Sequence, residues 1–289
     1  MRDIRNEIQN IGDVIPIPSM VTMILTQTLT GETAGRKLIA IIESDASLTA
    51  MVLRAANSAF YGIRSGVSTV SHAVMVLGHQ EINRLVLTYE LKQRILSLNT
   101  EQRDFLNRLW IHSVSVATAS RIVAKAAGVR TSGEEFTAGL LHDMGKIVLV
   151  QHFPDMFVRA AAMGTDLGLP DVQAEEQVFA ISHDEVGGML AEQWNLPASI
   201  ADTMRFHHRC GSATADVPLT CVVRLADLLV ERWGIGIDEG TADGAVTDNE
   251  CWKILSDRFP SIASVDVQEF EEGVRMEFEN NQAFSELFT

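Results

Sequence analysis

At 289 residues, 46% of them hydrophobic and 21% charged, the chain has the composition of a globular protein of one large or two ordinary domains, which excludes wholesale disorder and fibrous structure. Lys and Arg number 23 against 38 Asp and Glu, a net charge of −15 that repels polyanions and disfavours a nucleic-acid polymer as partner. No apolar run reaches the roughly 18 residues of a membrane span and no secretory signal opens the chain, so the sequence reads as cytoplasmic with no membrane partner.

In chain order, Ile15-Pro16-Ile17-Pro18 is expected to be extended, because proline restricts itself and its predecessor, with a helix beginning near Ser19. Apolar residues recur three and four apart over 20–29, 38–42, 48–56 and 82–91, the spacing of helices with one buried face. Ser44 and Asp45 stand where the helix over 48–56 needs its N-cap, and Asn57-Ser58 where it ends. Gly31, Gly35 and Gly62 read as turns. A long helix is expected over 101–127, a polar loop over 234–249, and two further helices over 250–258 and 265–280. Period-two alternation bounded by hairpin turns is nearly absent, and the lone Asp243-Gly244 falls in the polar loop. The expected fold is all-α, with an N-terminal helical part over 1–98, a second helical part over 99–233, and a loop with C-terminal helices over 234–289.

The residues that suggest chemistry are the histidines and aspartates of the second part: His112, His142-Asp143, His183-Asp184, His207-His208 and Asp227. Asp227 lies in an apolar run and His142-Asp143 follows one, and burying such groups alone is costly. Coordination of metal would account for them together. Imidazole and carboxylate without thiolate suit iron, manganese, zinc, nickel or cobalt. Neighbouring helical residues point about 100° apart, so His142 and Asp143 can address one ion only near a helix end, which Gly145 offers. Asp184 reads instead as a carboxylate capping a helix N-terminus, and His72, His79 and His152 as surface or capping residues. Cys210, Cys221 and Cys251 form no CxxC pair, so neither a disulfide framework nor a cysteine zinc site is expected. No GxxxxGK[ST], GxSxG or HExxH string occurs.

The string Leu140-Leu141-His142-Asp143-Met144-Gly145-Lys146, preceded by His112, resembles the HD superfamily of metal-dependent phosphohydrolases. Residues 44–58, 67–78 and 109–113, with His183 through Trp194-Asn195-Leu196-Pro197, extend the likeness to HDOD-domain proteins, a bacterial signalling family, over roughly 13–230. The resemblance implies two divalent transition-metal ions. His112, His142, Asp143 and Asp227 would hold the first. Asp143 would bridge to a second on His183, His207 and His208, and Lys146 would meet substrate phosphate. The catalytic residues would be Asp143 and Lys146, the reaction hydrolysis of a small phosphoester or nucleotide. Two ions, two carboxylates and Lys146 would sum to a local charge of about +3, attractive to phosphate. Arg209-Cys210-Gly211-Ser212 stands where the GYP-type relatives carry Gly-Tyr-Pro, and Arg108 where some carry a glutamate for another metal, so neither cyclic-di-GMP specificity nor a third ion is implied. Two other functions fit the same residues: a regulatory module that contacts a signalling protein and keeps the metal as structure or relic, and an iron-based oxygen-activating centre.

Overall fold

The computed structural model describes residues 4–10, 21, 22, 24, 32–63, 66–98, 101–131, 133–237, 240 and 244–288. The expected extended Ile15-Pro16-Ile17-Pro18 segment, the helix start at Ser19, Gly31 and Asp243 lie outside these residues. Among the described residues every regular element is helical and none is a strand, as the periodicity required. No described helix is long and apolar enough to cross a membrane.

Helices α1 (Ile4–Asn10), α2 (Glu32–Ser44), α3 (Ala46–Ala56), α4 (Val70–Leu77) and α5 (His79–Leu96) form the first part. The Asp45 carboxylate accepts from the backbone N–H groups of Ser47 and Leu48, so α3 starts where its cap fixes it. Leu48, Met51, Val52, Ala55 and Ala56 then share its buried face. Past its end, Asn57 donates from Nδ2 to Val67 O and accepts from Val67 N–H, pinning the turn between them. Gly62 sits in that turn with φ +61°, as read, whereas Gly35 lies inside α2, not in a turn.

The second part is built on α6 (Arg103–Ala127), whose length and continuous apolar content let it serve two cores at once. One of its faces gives Leu109, Val114 and Ala117 to a core shared with Leu48, Leu85, Leu141, Leu149, Val186 and Phe288. Another gives Val116, Ala119 and Val123 to a core shared with Leu225, Leu229, Leu255 and Phe278. Around it run α7 (Glu134–Leu141), α8 (Met144–His152), α9 (Pro154–Leu167), α10 (Asp171–Phe179), α11 (His183–Gln193), α12 (Ala198–Phe206) and α13 (Val217–Arg232). The C-terminal helices are α14 (Glu250–Arg258), α15 (Pro260–Ala263), α16 (Val267–Asn280) and α17 (Gln282–Glu286). α7 and α13 pack along α6, and α8 packs on α11. The helices that carry the histidines therefore come from both cores.

One expectation is corrected here. Cys210 and Cys251, 41 residues apart, are joined by a disulfide that ties the turn after α12 to α14.

Candidate metal centre

Seven candidate ligands from five chain segments converge. His112 projects from α6; His142 caps the C-terminus of α7 and Asp143 the N-terminus of α8; His183 opens α11; His207 and His208 follow α12; and Asp227 lies in α13. The helix junction at 142–143 is what allows two adjacent side chains to face one centre. His112, His142, Asp143, His183, His207 and Asp227 are all buried, and His208 is partly so.

Asp143 occupies the middle. Its Oδ1 lies 3.2 Å from His183 Nε2 and 3.7 Å from His207 Nε2, while Oδ2 lies 3.7 Å from His142 Nε2. Asp227 Oδ1 is 3.0 Å from His112 Nε2 and 3.7 Å from His142 Nε2. His208 Nε2 is 2.9 Å from His183 Nε2. Three sets of ligand atoms fall within 4.8 Å of one another: His112, His142 and Asp227; His142, Asp143 and His207; and His183, His207 and His208.

The outer nitrogens explain which way the rings face. His142 Nδ1 is 2.7 Å from Gly139 O, His207 Nδ1 is 3.1 Å from Thr203 O, and His112 Nδ1 is 3.4 Å from Ile235 O. His183 Nδ1 is 2.7 Å from Glu175 Oε2, an oxygen that also accepts the His183 backbone N–H at 2.7 Å. A carbonyl or carboxylate oxygen only accepts, so in all four rings Nδ1 carries hydrogen and Nε2 is the atom that turns inward. The inward side is short of hydrogen bonds: His142 Nε2, His207 Nε2, both Asp143 oxygens and Asp227 Oδ1 are buried without one, although Lys146 and His112 stand close to the two carboxylates. Each such group costs about 1–3 kcal/mol unless something else satisfies it. Converging nitrogen and oxygen donors without thiolate fit divalent transition-metal ions.

Asp143, Asp227, His207 and His208 are held in the protonation state a metal ligand needs, and His183 takes it up only by losing a proton. Burial alone would raise Asp143, yet Lys146, His142 and His183 hold it well below the usual carboxylate range. Asp227 is held low in the same way, against its burial, by His112, His142 and Arg224. Burial followed by the facing His142 and His183 takes His207 down to about 3, and burial with His207 lowers His208. Burial would lower His183, but the charge and hydrogen bond of Glu175 together with Asp143 raise it to about 9.

Lys146 is fully buried, its ammonium 3.1 Å from Asp143 and 3.5 Å from Asp171. Asp171 thus balances the cation that the sequence reading counted toward substrate, leaving a local charge of about +2 for two ions on two carboxylates. Asp184 does more than cap a helix. It is buried, accepts from Ser182 Oγ and the Glu185 N–H, and takes a 2.9 Å bond from Arg209. Sequence reasoning missed Asp171, Glu175 and Arg224. Arg224 donates to Asp227 Oδ2 one turn away, an i,i+3 spacing that was open to inspection. Glu175 carried no such signal, since it reaches His183 only because the chain turns at Ala180, with φ +58°.

Two close approaches set the architecture. A Cβ at Gly145 would lie 1.9 Å from His183 O and 2.8 Å from Gly187 N, so only glycine lets α8 meet α11 there. Gly236, at φ +90°, brings the turn after α13 onto His112, where a Cβ would come within 2.5 Å of the His112 Cβ.

The fold has known counterparts. A family profile described as HDOD domain matches residues 14–210. A structure of an HDOD domain protein of unknown function from Geobacter sulfurreducens superposes with a TM-score of 0.83 at 24% identity, covering 99% of this chain and 97% of that one. A protein of Shewanella amazonensis described as a candidate phosphohydrolase superposes with a TM-score of 0.71 at 21% identity, covering 99% and 98%. Among curated proteins, an uncharacterized protein of Treponema pallidum is 25% identical over 222 residues, 76% of this chain. The match spans 42% of that relative's length.

Proposed function

The chain belongs to the HDOD family, and from that premise we propose that it is a signal-transduction protein that holds two divalent transition-metal ions and hydrolyses a small phosphoester, in the chemical class of nucleotides. The observation that carries this reading is the common orientation of four rings, each giving Nδ1–H outward and Nε2 inward around Asp143. His112, His142, Asp227 and Asp143 would hold one ion, and His183, His207, His208 and Asp143 the other. Paired divalent ions supply Lewis acidity and lower the pKa of bound water. The protein's own residues do the rest. Asp143 would be shared between the two ions, Glu175 and the backbone carbonyls fix the ring tautomers, and Lys146 holds Asp143 ionised. Arg224 orients Asp227.

A specific observation favours a second reading, that of a regulatory module working through a protein partner. All of these ligands except His208 are closed to solvent, so the centre admits a substrate only from the His208 side or after opening. The test is turnover of a bis(nitrophenyl) phosphate by protein loaded in turn with manganese, iron, zinc, nickel and cobalt. Hydrolysis that disappears in Asp143→Asn supports the hydrolase. Two retained ions with no turnover of any phosphodiester or nucleotide would overturn it in favour of the regulatory module.

A further inference from the structure

The disulfide accounts for two of three sulfurs that meet at one point. Cys221, from the first half of α13, lies with Cys210 and Cys251 in a group whose Sγ atoms are all within 4.8 Å of one another, and all three residues are at most 1% exposed. They come from three separate elements: the turn after α12, α13 and α14. Cys221 packs in the second core, and the proposed hydrolase makes no use of its thiol. A disulfide alone would be complete without it.

Thiol–disulfide exchange is the first use to weigh, and the surroundings oppose it. Burial, with Glu250 and Asp216 nearby, pushes the Cys221 thiol up to about 12, so almost no thiolate is present to attack the neighbouring bond. A soft cation removes that obstacle, because a coordinating thiol loses its proton on binding. The geometry suits one. Zinc–sulfur bonds of about 2.3 Å in a tetrahedron place sulfurs about 3.8 Å apart, a spacing smaller than the 4.8 Å within which these three sulfurs lie. Glu250, at the start of α14 next to Cys251, accepts the Gly211 N–H on Oε2 at 3.3 Å and adds a negative charge near the group.

We propose that the reduced chain binds one zinc ion on Cys210, Cys221 and Cys251, and that formation of the Cys210–Cys251 disulfide releases it. The site is separate from the histidine–aspartate centre and its metal is thiophilic. The exchange balances with a disulfide oxidant of the glutathione class. Two thiolates give up two electrons and join as the protein disulfide, the oxidant's S–S bond takes those electrons and leaves as two thiolates, and the zinc departs while the two leaving thiolates and Cys221 take up protons from water. Because Cys210 lies two residues beyond His208, the oxidation state of this group also fixes how the His207-His208 segment is anchored.

Cobalt substitution tests this on the full-length protein. Fully reduced protein loaded with Co²⁺ is expected to show a sulfur-to-cobalt charge-transfer band in the near ultraviolet, equivalent to one site per chain, which Cys221→Ser abolishes. Cobalt on histidine and aspartate gives no such band, so this result is independent of the proposed hydrolase centre. Should Cys221→Ser fail to fold, oxidation of the wild-type protein with glutathione disulfide replaces it: the band vanishes and returns on reduction. Absence of the band from reduced protein would overturn the proposal, as would a band that survives both treatments.

Discussion

Replacing Gly145 by alanine puts the metal-centre geometry to a severe trial. The new Cβ would sit 1.9 Å from His183 O, against the 3.4 Å at which ordinary contact begins, so backbone must part from backbone by about 1.5 Å. No flexible side chain is there to yield, since the next nearest atoms are Gly187 N and His183 C. Overpacking of this kind costs about 1–3 kcal/mol, which for a chain of this size lowers the melting temperature by roughly 2–12 °C. The functional loss should be larger than the stability loss. α8 carries Asp143 and α11 carries His183, whose facing atoms are 3.2 Å apart, and metal–ligand distances tolerate only about 0.2 Å. Calorimetry and elemental analysis of the same preparation read both effects: a folded Gly145→Ala protein short of at least one metal equivalent. An unchanged melting temperature with full metal content would show that α8 and α11 do not meet as described.

Further outcomes follow from the groups around the centre. Glu175→Ala removes the acceptor of His183 Nδ1–H and should weaken metal affinity about 10–100-fold with little change in helix content, measured by competition with a chromophoric chelator; Glu175→Gln, which keeps an acceptor, should recover part of it. In chelator-treated protein the histidines set opposite pH limits. His207, at about 3 when folded, stays neutral while the unfolded chain takes up a proton near 6.5, so its contribution is present above 6.5 and is lost as pH falls toward 3. His183, at about 9, contributes fully below 6.5 and loses that contribution as pH rises through 9. The melting temperature should therefore peak near neutrality and fall on both sides; a flat profile from pH 4 to 9 would count against these environments.

Much of this architecture is visible in local chemistry. Asp45 caps α3 because a short carboxylate ahead of an apolar repeat has few other places to bond, and α14 spans Glu250–Arg258, the interval its composition suggested. The seven candidate histidine and aspartate ligands attract notice in sequence because several sit in apolar runs, where a polar group needs a reason. What was not legible depends on three-dimensional closure. Helix α10 carries Asp171, Glu175 and Glu176 without a local pattern that marks a site, and the turn at Ala180 folds Glu175 over His183. The cysteines, 11 and 30 residues apart, carry no spacing that tells which elements bring them together. Gly35 shows the reverse error, a residue common in turns that tertiary context keeps within a helix.

The central claim is that inward-facing Nε2 and carboxylate atoms around Asp143 bind metal as a pair. Elemental analysis of wild type and Asp143→Asn, purified side by side without chelator and treated with a thiol reagent to strip any sulfur-bound ion, measures it directly. The expected result is close to two transition-metal equivalents per wild-type chain and a clear deficit in the variant. Wild-type protein that carries none and takes up none when iron, manganese, zinc, nickel or cobalt is added would contradict it.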